Sequence, residues 1–106
     1  MESLNETVIE AQVQEVLRTC YDPEIPVDIV NLGLVYEVLV EGDRVEVKMT
    51  TTAAGCPVGN YMVGEAKRVL ARLEGVKEVD VELVYDPPWQ EKMISEEGRR
   101  ILGWRY

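Results

Sequence analysis

Residues 44–75 read RVEVKMTTTAAGCPVGNYMVGEAKRVLARLEG, and their periodicity changes halfway along the stretch. Apolar and charged residues alternate at first, which predicts a β-strand over Arg44 to Thr51. Apolar residues then recur at helical spacing. Proline is favoured at the first position of a helix and glycine just past the last, so we predict a helix that starts at Pro57 and stops by Gly75. Cys56 then occupies the N-cap of that helix.

The segments on either side predict two further strands. Leu34 to Val40 reads as a strand and Glu41-Gly42-Asp43 as a turn, so a β-hairpin should precede the helix. Over residues 79–83 apolar residues again alternate with acids, which predicts a third strand. We expect a right-handed crossover through the helix to join this strand to the hairpin.

The N-terminal third predicts a helix followed by an ordered loop. The helix should run from Ser3 and end at Tyr21-Asp22-Pro23, with Cys20 on its apolar stripe as a buried core residue. The next segment, DPEIPVDIVNLG from Asp22 to Gly33, carries two prolines, three acids and a terminal glycine. We therefore expect a loop that packs against the core without forming a regular element.

The C-terminal tail completes the fold. Asp86-Pro87-Pro88-Trp89 predicts a rigid turn with an aromatic anchor, and a short helical stretch is expected near residues 95–100. The order helix, strand, strand, helix, strand and short helix predicts an α+β fold, with a small mixed sheet of three to four strands and the two main helices on one face. A chain of 106 residues suits one core, so we treat residues 1–106 as a single domain.

Composition argues against several classes of function. The chain has no histidine, which rules out Ser-His-Asp and Cys-His catalysis and His-ligated metal sites. A formal charge of −9, with 11 basic residues scattered among 20 acids, argues against nucleic-acid binding. No stretch approaches the roughly 20 apolar residues of a membrane helix, and the N-terminus does not resemble a signal peptide. We expect a cytosolic protein with reduced cysteines and no nucleotide cofactor.

Cys56 is the residue whose position most favours chemistry. A thiol at a helix N-cap meets the positive end of the helix dipole and backbone N–H groups without partners, and both favour the thiolate. The thiolate would be a nucleophile or a soft-metal ligand, although Cys56 could also merely cap the helix. Thr50 and Thr52 share one side of the preceding strand and could donate to a thiolate, a sulfide or a ligand oxygen, whereas Thr51 is expected only to suit the strand.

Carboxylates on the stiff loop are a second group of candidates. Asp22, Glu24 and Asp28 sit on a loop that contains two prolines, and a stiff loop holds a carboxylate in place at a lower entropic cost than a flexible one. Asn31-Leu32-Gly33 reads as a turn.

Three separate motifs, DPEIPVDIVNLGLVYEV, MTTTAAGCPVG and DPPWQEKMISEEGRRIL, together resemble the metal–sulfur cluster biosynthetic family, which includes SufT-like and PaaD-like proteins. The resemblance implies an iron–sulfur cluster assembly-type fold and a non-enzymatic, accessory role in iron–sulfur protein maturation. It places the family's thiol on Cys56, its Asp-Pro-Glu on residues 22–24 and its threonines on Thr50 and Thr52. Many relatives carry aspartate at the position of Asn31, so a scheme that needs a carboxylate there is in doubt.

Cluster chemistry limits how this role could be performed. Iron–sulfur centres ordinarily need four ligands, so one thiol per chain cannot hold a cluster alone. Either two chains bring their Cys56 residues together in a homodimer, or Cys56 binds transiently to a cluster whose other ligands belong to an assembly protein or an apo client. We favour the transient binding.

Two other functions stay open. One is a thiol-dependent enzyme acting on persulfide or thioester intermediates, with Asp22 or Glu24 as its acid or base. The other is an adaptor without sulfur chemistry, which would use an outer sheet face carrying Val35 and Leu39 beside Glu37.

Overall fold

The computed structural model describes residues 10–23, 25–52 and 56–103, and the side chains of all of these except residues 56–58. The elements, in chain order, are α1 (Glu10–Leu17), β1 (Val35–Glu41), β2 (Arg44–Met49), α2 (Cys56–Ala71), β3 (Glu78–Leu83), one 3₁₀ turn (Glu91–Met93) and α3 (Glu96–Leu102). Their order and the α+β class are as predicted. Within these ranges, no helix has both the length and the apolar character needed to cross a membrane.

The described residues form one mixed sheet of three strands in the order β1-β2-β3. β1 and β2 pair antiparallel as a hairpin, and β2 and β3 pair parallel. α2 connects the two parallel strands and contacts β3, while α1 contacts α2 and β1. Both main helices therefore lie on the same side of the sheet, as the order of elements predicted.

The inner side of β2 is the centre of the core. Val45, Val47 and Met49 are each no more than 1% exposed. The helix residues that cover them are also buried: Val13, Leu17, Met62, Ala66 and Leu70. Burying an apolar side chain of this size contributes about 1.5–3 kcal/mol, so the alternation in the sequence determines which side of β2 faces the helices.

The loop between α1 and β1 belongs to this core. Val27, Ile29 and Leu32 are completely buried, and the only pairing in the described part of the loop is an isolated antiparallel bridge between Tyr21 and Asp28. The prediction of an ordered, irregular loop that packs down is confirmed.

Element boundaries differ from the predictions by a few residues. α1 ends at Leu17 because the chain turns there, and the Thr19 hydroxyl donates to the Val16 carbonyl at 2.6 Å. The predicted helical residues 3–9 lie outside the described residues. β2 stops at Met49, where its pairing with β3 also stops. α2 begins at Cys56, one residue earlier than predicted, so Cys56 is the first residue of the helix and the predicted N-cap position is wrong.

β1 contains an irregularity that the prediction of an outer patch missed. Val35 and Glu37 pair with consecutive residues of β2, so the register shifts by one residue at Tyr36. An extra residue in one strand reverses which way the following side chains face. Val35 consequently packs against the core, while Leu39 on the outer side is 48% exposed. The predicted outer pair of Val35 and Leu39 is wrong for Val35.

The C-terminal segment packs back onto the loop. The Trp89 indole donates to the Leu32 carbonyl at 2.7 Å, and the Tyr36 hydroxyl donates to the Pro87 carbonyl at 2.8 Å. The predicted short helix forms as α3, whose N-cap residue Ser95 accepts from the Gly98 amide. Trp89 is therefore an anchor, as predicted.

Replacing Gly33 should test how tightly this segment is held. Gly33 has φ +79°, and a β-carbon there would lie 2.9 Å from the Met93 carbonyl carbon. Gly42 also has a positive φ, +60°, but a β-carbon there would meet nothing within 4 Å. We expect Gly42→Ala to cost about 1 kcal/mol of unfolding free energy and Gly33→Ala at least about 3 kcal/mol, measured by urea denaturation. Equal losses would show that the C-terminal segment moves aside freely.

Candidate functional site

β2 and β3 end side by side at one edge of the sheet, close to the start of α2. In their parallel register Met49 lies opposite Leu83, and the Val84 amide donates to the Met49 carbonyl at 2.8 Å. Cys56 is the first residue of the 16-residue helix α2. The candidate site is this sheet edge together with the first turns of α2.

The start of α2 lies close to the strand ends at Gly59. A β-carbon at Gly59 would lie 2.9 Å from Leu83 Cδ1, 3.4 Å from the Tyr85 hydroxyl oxygen and 4.0 Å from Thr51 Cγ2. Residues three apart on a helix share a face. The position of Cys56 therefore lies on the face of α2 that meets the two strand ends.

Electrostatics at the start of α2 favour an anion. The first N–H groups of a helix have no partners within the helix, and they carry a partial positive charge. No acidic residue occupies the first turn of α2 and competes for these groups. These are surroundings in which a thiolate is stabilised relative to a thiol.

The three threonines before α2 differ in burial and contacts. Thr50 is completely buried, Thr51 is 3% exposed and Thr52 is half-buried. The Thr50 amide donates to the Leu34 carbonyl at 2.8 Å, but its buried hydroxyl has no hydrogen-bond partner among the described residues. Leaving a buried hydroxyl unsatisfied costs about 1–3 kcal/mol, so Thr50 is a weak point in the packing beside the site.

Thr51, which the sequence pattern assigned only to the strand, is the threonine that approaches α2. The inward side chains of β2 alternate up to Met49, and continuing that alternation by two residues reaches Thr51. Strand parity thus predicts that Thr51 faces the helices, and the supporting role expected of Thr50 and Thr52 stays a prediction.

Asp22 lies at the start of the acidic loop and is 4% exposed. Its Oδ1 atom accepts a hydrogen bond from the Ile25 amide at 3.0 Å, which closes a turn within the loop. The Asp22 amide itself donates to the Val27 carbonyl at 3.3 Å. Glu24 lies outside the described residues.

A series of backbone hydrogen bonds connects this loop to the end of β2. The Ile29 amide donates to Cys20, the Leu34 amide donates to Ile29, and the Thr50 amide donates to Leu34, at 2.9, 3.0 and 2.8 Å. The base of the acidic loop and the last residues before α2 are thus held by one ladder.

Asn31 makes four hydrogen bonds, two to Asp28 within the loop and two to Ser95 at the start of the C-terminal helix. Its backbone amide donates to Asp28 Oδ2 at 3.0 Å, and its side-chain Nδ2 donates to Asp28 Oδ1 at 2.7 Å. Its backbone carbonyl accepts from the Ser95 amide at 2.8 Å, and its Oδ1 accepts from the Ser95 hydroxyl at 2.6 Å. These bonds give Asn31 a structural role that the sequence pattern did not show.

Cys20 is 3% exposed, which confirms the prediction that it is a core residue. Burial, and to a smaller extent the Glu65 carboxylate, raises the pKa of the Cys20 thiol to about 11. The thiol therefore stays protonated and unreactive at neutral pH. Because the chain has only two cysteines, Cys56 is the candidate reactive thiol.

A family model described as iron–sulfur cluster assembly protein matches residues 10–83. The chain belongs to this family. The matched range runs from the start of α1 to the end of β3, and it contains the acidic loop, the two strand ends and all of α2. The resemblance inferred from the three sequence motifs is thereby confirmed.

Several relatives are similar to this chain over nearly their whole length. An Fe-S protein maturation auxiliary factor from Porphyromonas gingivalis is 41% identical, over 90% of this chain and 91% of its own. The auxiliary factor YitW from Bacillus subtilis is 42% identical, over 92% and 97%. The crystal structure of a domain of unknown function, DUF59, from Bacillus anthracis has a TM-score of 0.82 and 39% identity, covering 91% and 92%.

The hydrogen bonds of Asn31 predict a specific response to charge. Asn31→Asp would place a second carboxylate against Asp28, where the amide now donates at 2.7 Å. We expect it to lower the unfolding free energy by about 2 kcal/mol at pH 7, and by less at pH 4, where protonation of one acid relieves the repulsion. Urea denaturation at the two pH values measures the difference.

The matched control exchanges the two residues. In Asp28→Asn/Asn31→Asp, an amide at position 28 can donate to the new carboxylate, which can still accept from Ser95. We expect the double variant to recover most of the lost stability. A double variant no more stable than Asn31→Asp would contradict this account of the pair.

Burial of Cys20 predicts slow alkylation. In a Cys56→Ser variant at pH 8, we expect iodoacetamide to modify native Cys20 at least about a hundredfold more slowly than the urea-unfolded chain, because little thiolate is present at a pKa of about 11. Mass spectrometry of samples quenched over time gives both rates. Similar rates would mean that the native thiol is accessible and ionised.

Proposed function

We propose that this protein is an accessory factor in iron–sulfur protein maturation and that Cys56 is a transient ligand of the cluster being transferred. The cluster is cargo, received from an assembly protein and passed to an apo client. The observation that carries the proposal is the position of Cys56 at the first residue of α2, three residues before the glycine that lies against Leu83 at the end of β3. The names of the relatives as maturation auxiliary factors support it.

The supply of ligands favours transient binding over storage. The sequence has no histidine, and the second cysteine is buried. No group of three potential metal ligands occurs within residues 10–23, 25–52 and 56–103. Since a cluster ordinarily needs four ligands, the others would come from the donor, the client or a second copy of the chain.

The start of α2 suits a sulfur-rich anion. A cluster with thiolate ligands carries negative charge, and the free N–H groups of a helix start attract anions and donate hydrogen bonds to them. Cys56 would add the one covalent contact. Binding through a single thiolate leaves the cluster free to move to a client that offers more ligands, so we propose transfer without catalytic turnover of a substrate.

Anaerobic cluster transfer tests the role of Cys56. The protein is reconstituted with iron and sulfide, mixed with an apo-ferredoxin, and the transfer is followed by visible absorption and circular dichroism. We expect Cys56→Ser to slow transfer at least about tenfold, because serine lacks the soft thiolate ligand. Cys20→Ala, the matched control in the core, should transfer at the wild-type rate.

Equal transfer by wild type and Cys56→Ser would remove this proposal. Turnover of a persulfide or thioester by the purified protein, lost in Cys56→Ser, would favour a thiol-dependent enzyme instead.

A further inference from the structure

We propose that Tyr85 is a further residue of the thiol site and that its hydroxyl positions the sulfur held at the start of α2. This inference rests on the proposed function of Cys56. It concerns the phenol hydroxyl of Tyr85, which none of the sequence motifs singled out.

The course of the chain after β3 brings Tyr85 to this edge. Val81 is 8% exposed and Leu83 packs against the core, so the odd-numbered residues at the end of β3 face the helices. Tyr85 follows two residues later, and its hydroxyl lies beside Gly59 on α2. The Tyr85 side chain is therefore on the helix side of the sheet, just beyond the end of the strand.

The distance to Gly59 places the hydroxyl beside the first turns of α2. A β-carbon built on Gly59 lies 3.4 Å from the Tyr85 oxygen. The bond to a β-carbon tilts toward the N-terminus of its helix, and β-carbons three positions apart are about 5–6 Å from each other. The hydroxyl thus lies on the face that Cys56 and Gly59 share, within reach of a ligand bound at the helix start.

Glycine at position 59 makes α2 less stable than alanine would, but it leaves room for the residues at the end of β3. Glycine in a helix is about 1 kcal/mol less favourable than alanine. Here any larger residue would also meet Leu83 Cδ1 at 2.9 Å and the Tyr85 hydroxyl. The glycine therefore leaves room for Leu83 and the Tyr85 hydroxyl beside the start of α2.

The Tyr85 hydroxyl is a hydrogen-bond donor that has no other partner in the described part of the chain. The Tyr36 hydroxyl donates to Pro87 and contacts the Met93 sulfur, whereas Tyr85 makes no such hydrogen bond among the described residues. Tyr85 is 44% exposed, so part of the residue stays open to a bound cluster or client. A neutral phenol can donate one hydrogen bond to a thiolate or a sulfide and so stabilise the charge on sulfur.

The test removes only this hydroxyl. In a Cys20→Ala background, Tyr85→Phe keeps the ring and its packing, and Tyr61→Phe changes another exposed tyrosine, 52% exposed, further along α2. The rate of Cys56 alkylation by iodoacetamide is measured from pH 5 to 10. We expect Tyr85→Phe to raise the midpoint of this profile by about half a pH unit or more and to slow cluster transfer about threefold, while Tyr61→Phe changes neither.

The outcomes separate this inference from the proposed function. An unchanged alkylation profile in Tyr85→Phe overturns the role of Tyr85, even if Cys56→Ser still abolishes transfer and upholds the function. A shifted profile supports the role of Tyr85, and if Cys56→Ser transfers normally, only the cluster-transfer function fails. An equal shift in Tyr61→Phe also overturns the inference, because it would show a general effect on the helix.

Discussion

The close approach of α2 to the ends of β2 and β3 is the contact on which the site depends. Parallel pairing brings the two strand ends together, and a glycine in the second turn of the helix lets Leu83 and Tyr85 press against it. The start of a helix is thereby held beside the ends of two strands. A thiol at such a position meets backbone N–H groups, which favour the thiolate without any need for a histidine.

The remainder of the structure stiffens that edge. Core side chains of the acidic loop are completely buried, and a ladder of backbone hydrogen bonds runs from the loop base to Thr50. Asn31 and Trp89 then bind the loop to the C-terminal segment. The family match ends at residue 83, yet the segment after it contributes an anchor, a capped helix and Tyr85. In this chain the C-terminal segment is part of the structural unit that carries the site.

The two cysteines occupy very different positions in the fold. Cys20 is surrounded by the core and lies near the Glu65 carboxylate, so burial and a like charge both oppose its ionisation. Cys56 begins a helix whose first turn has no acidic residue. The proposed cluster transfer needs a ligand that binds and then releases the cluster, and a single thiolate suits that requirement better than a complete set of ligands would.

The sequence alone determined the elements, the inward side of β2, the burial of Cys20 and the place of Cys56 at a helix start. These follow from local periodicity and from residues such as Pro57, whose preferences act within a few positions. Only the tertiary structure decided the register shift at Tyr36, the four bonds of Asn31 and the approach of Thr51 and Tyr85 to Gly59. Ser95 and Asn31 are 64 residues apart in the chain. Many polar side chains could pair with each other, and the alignment of the packed elements decides which pairs form. No local sequence pattern encodes that alignment.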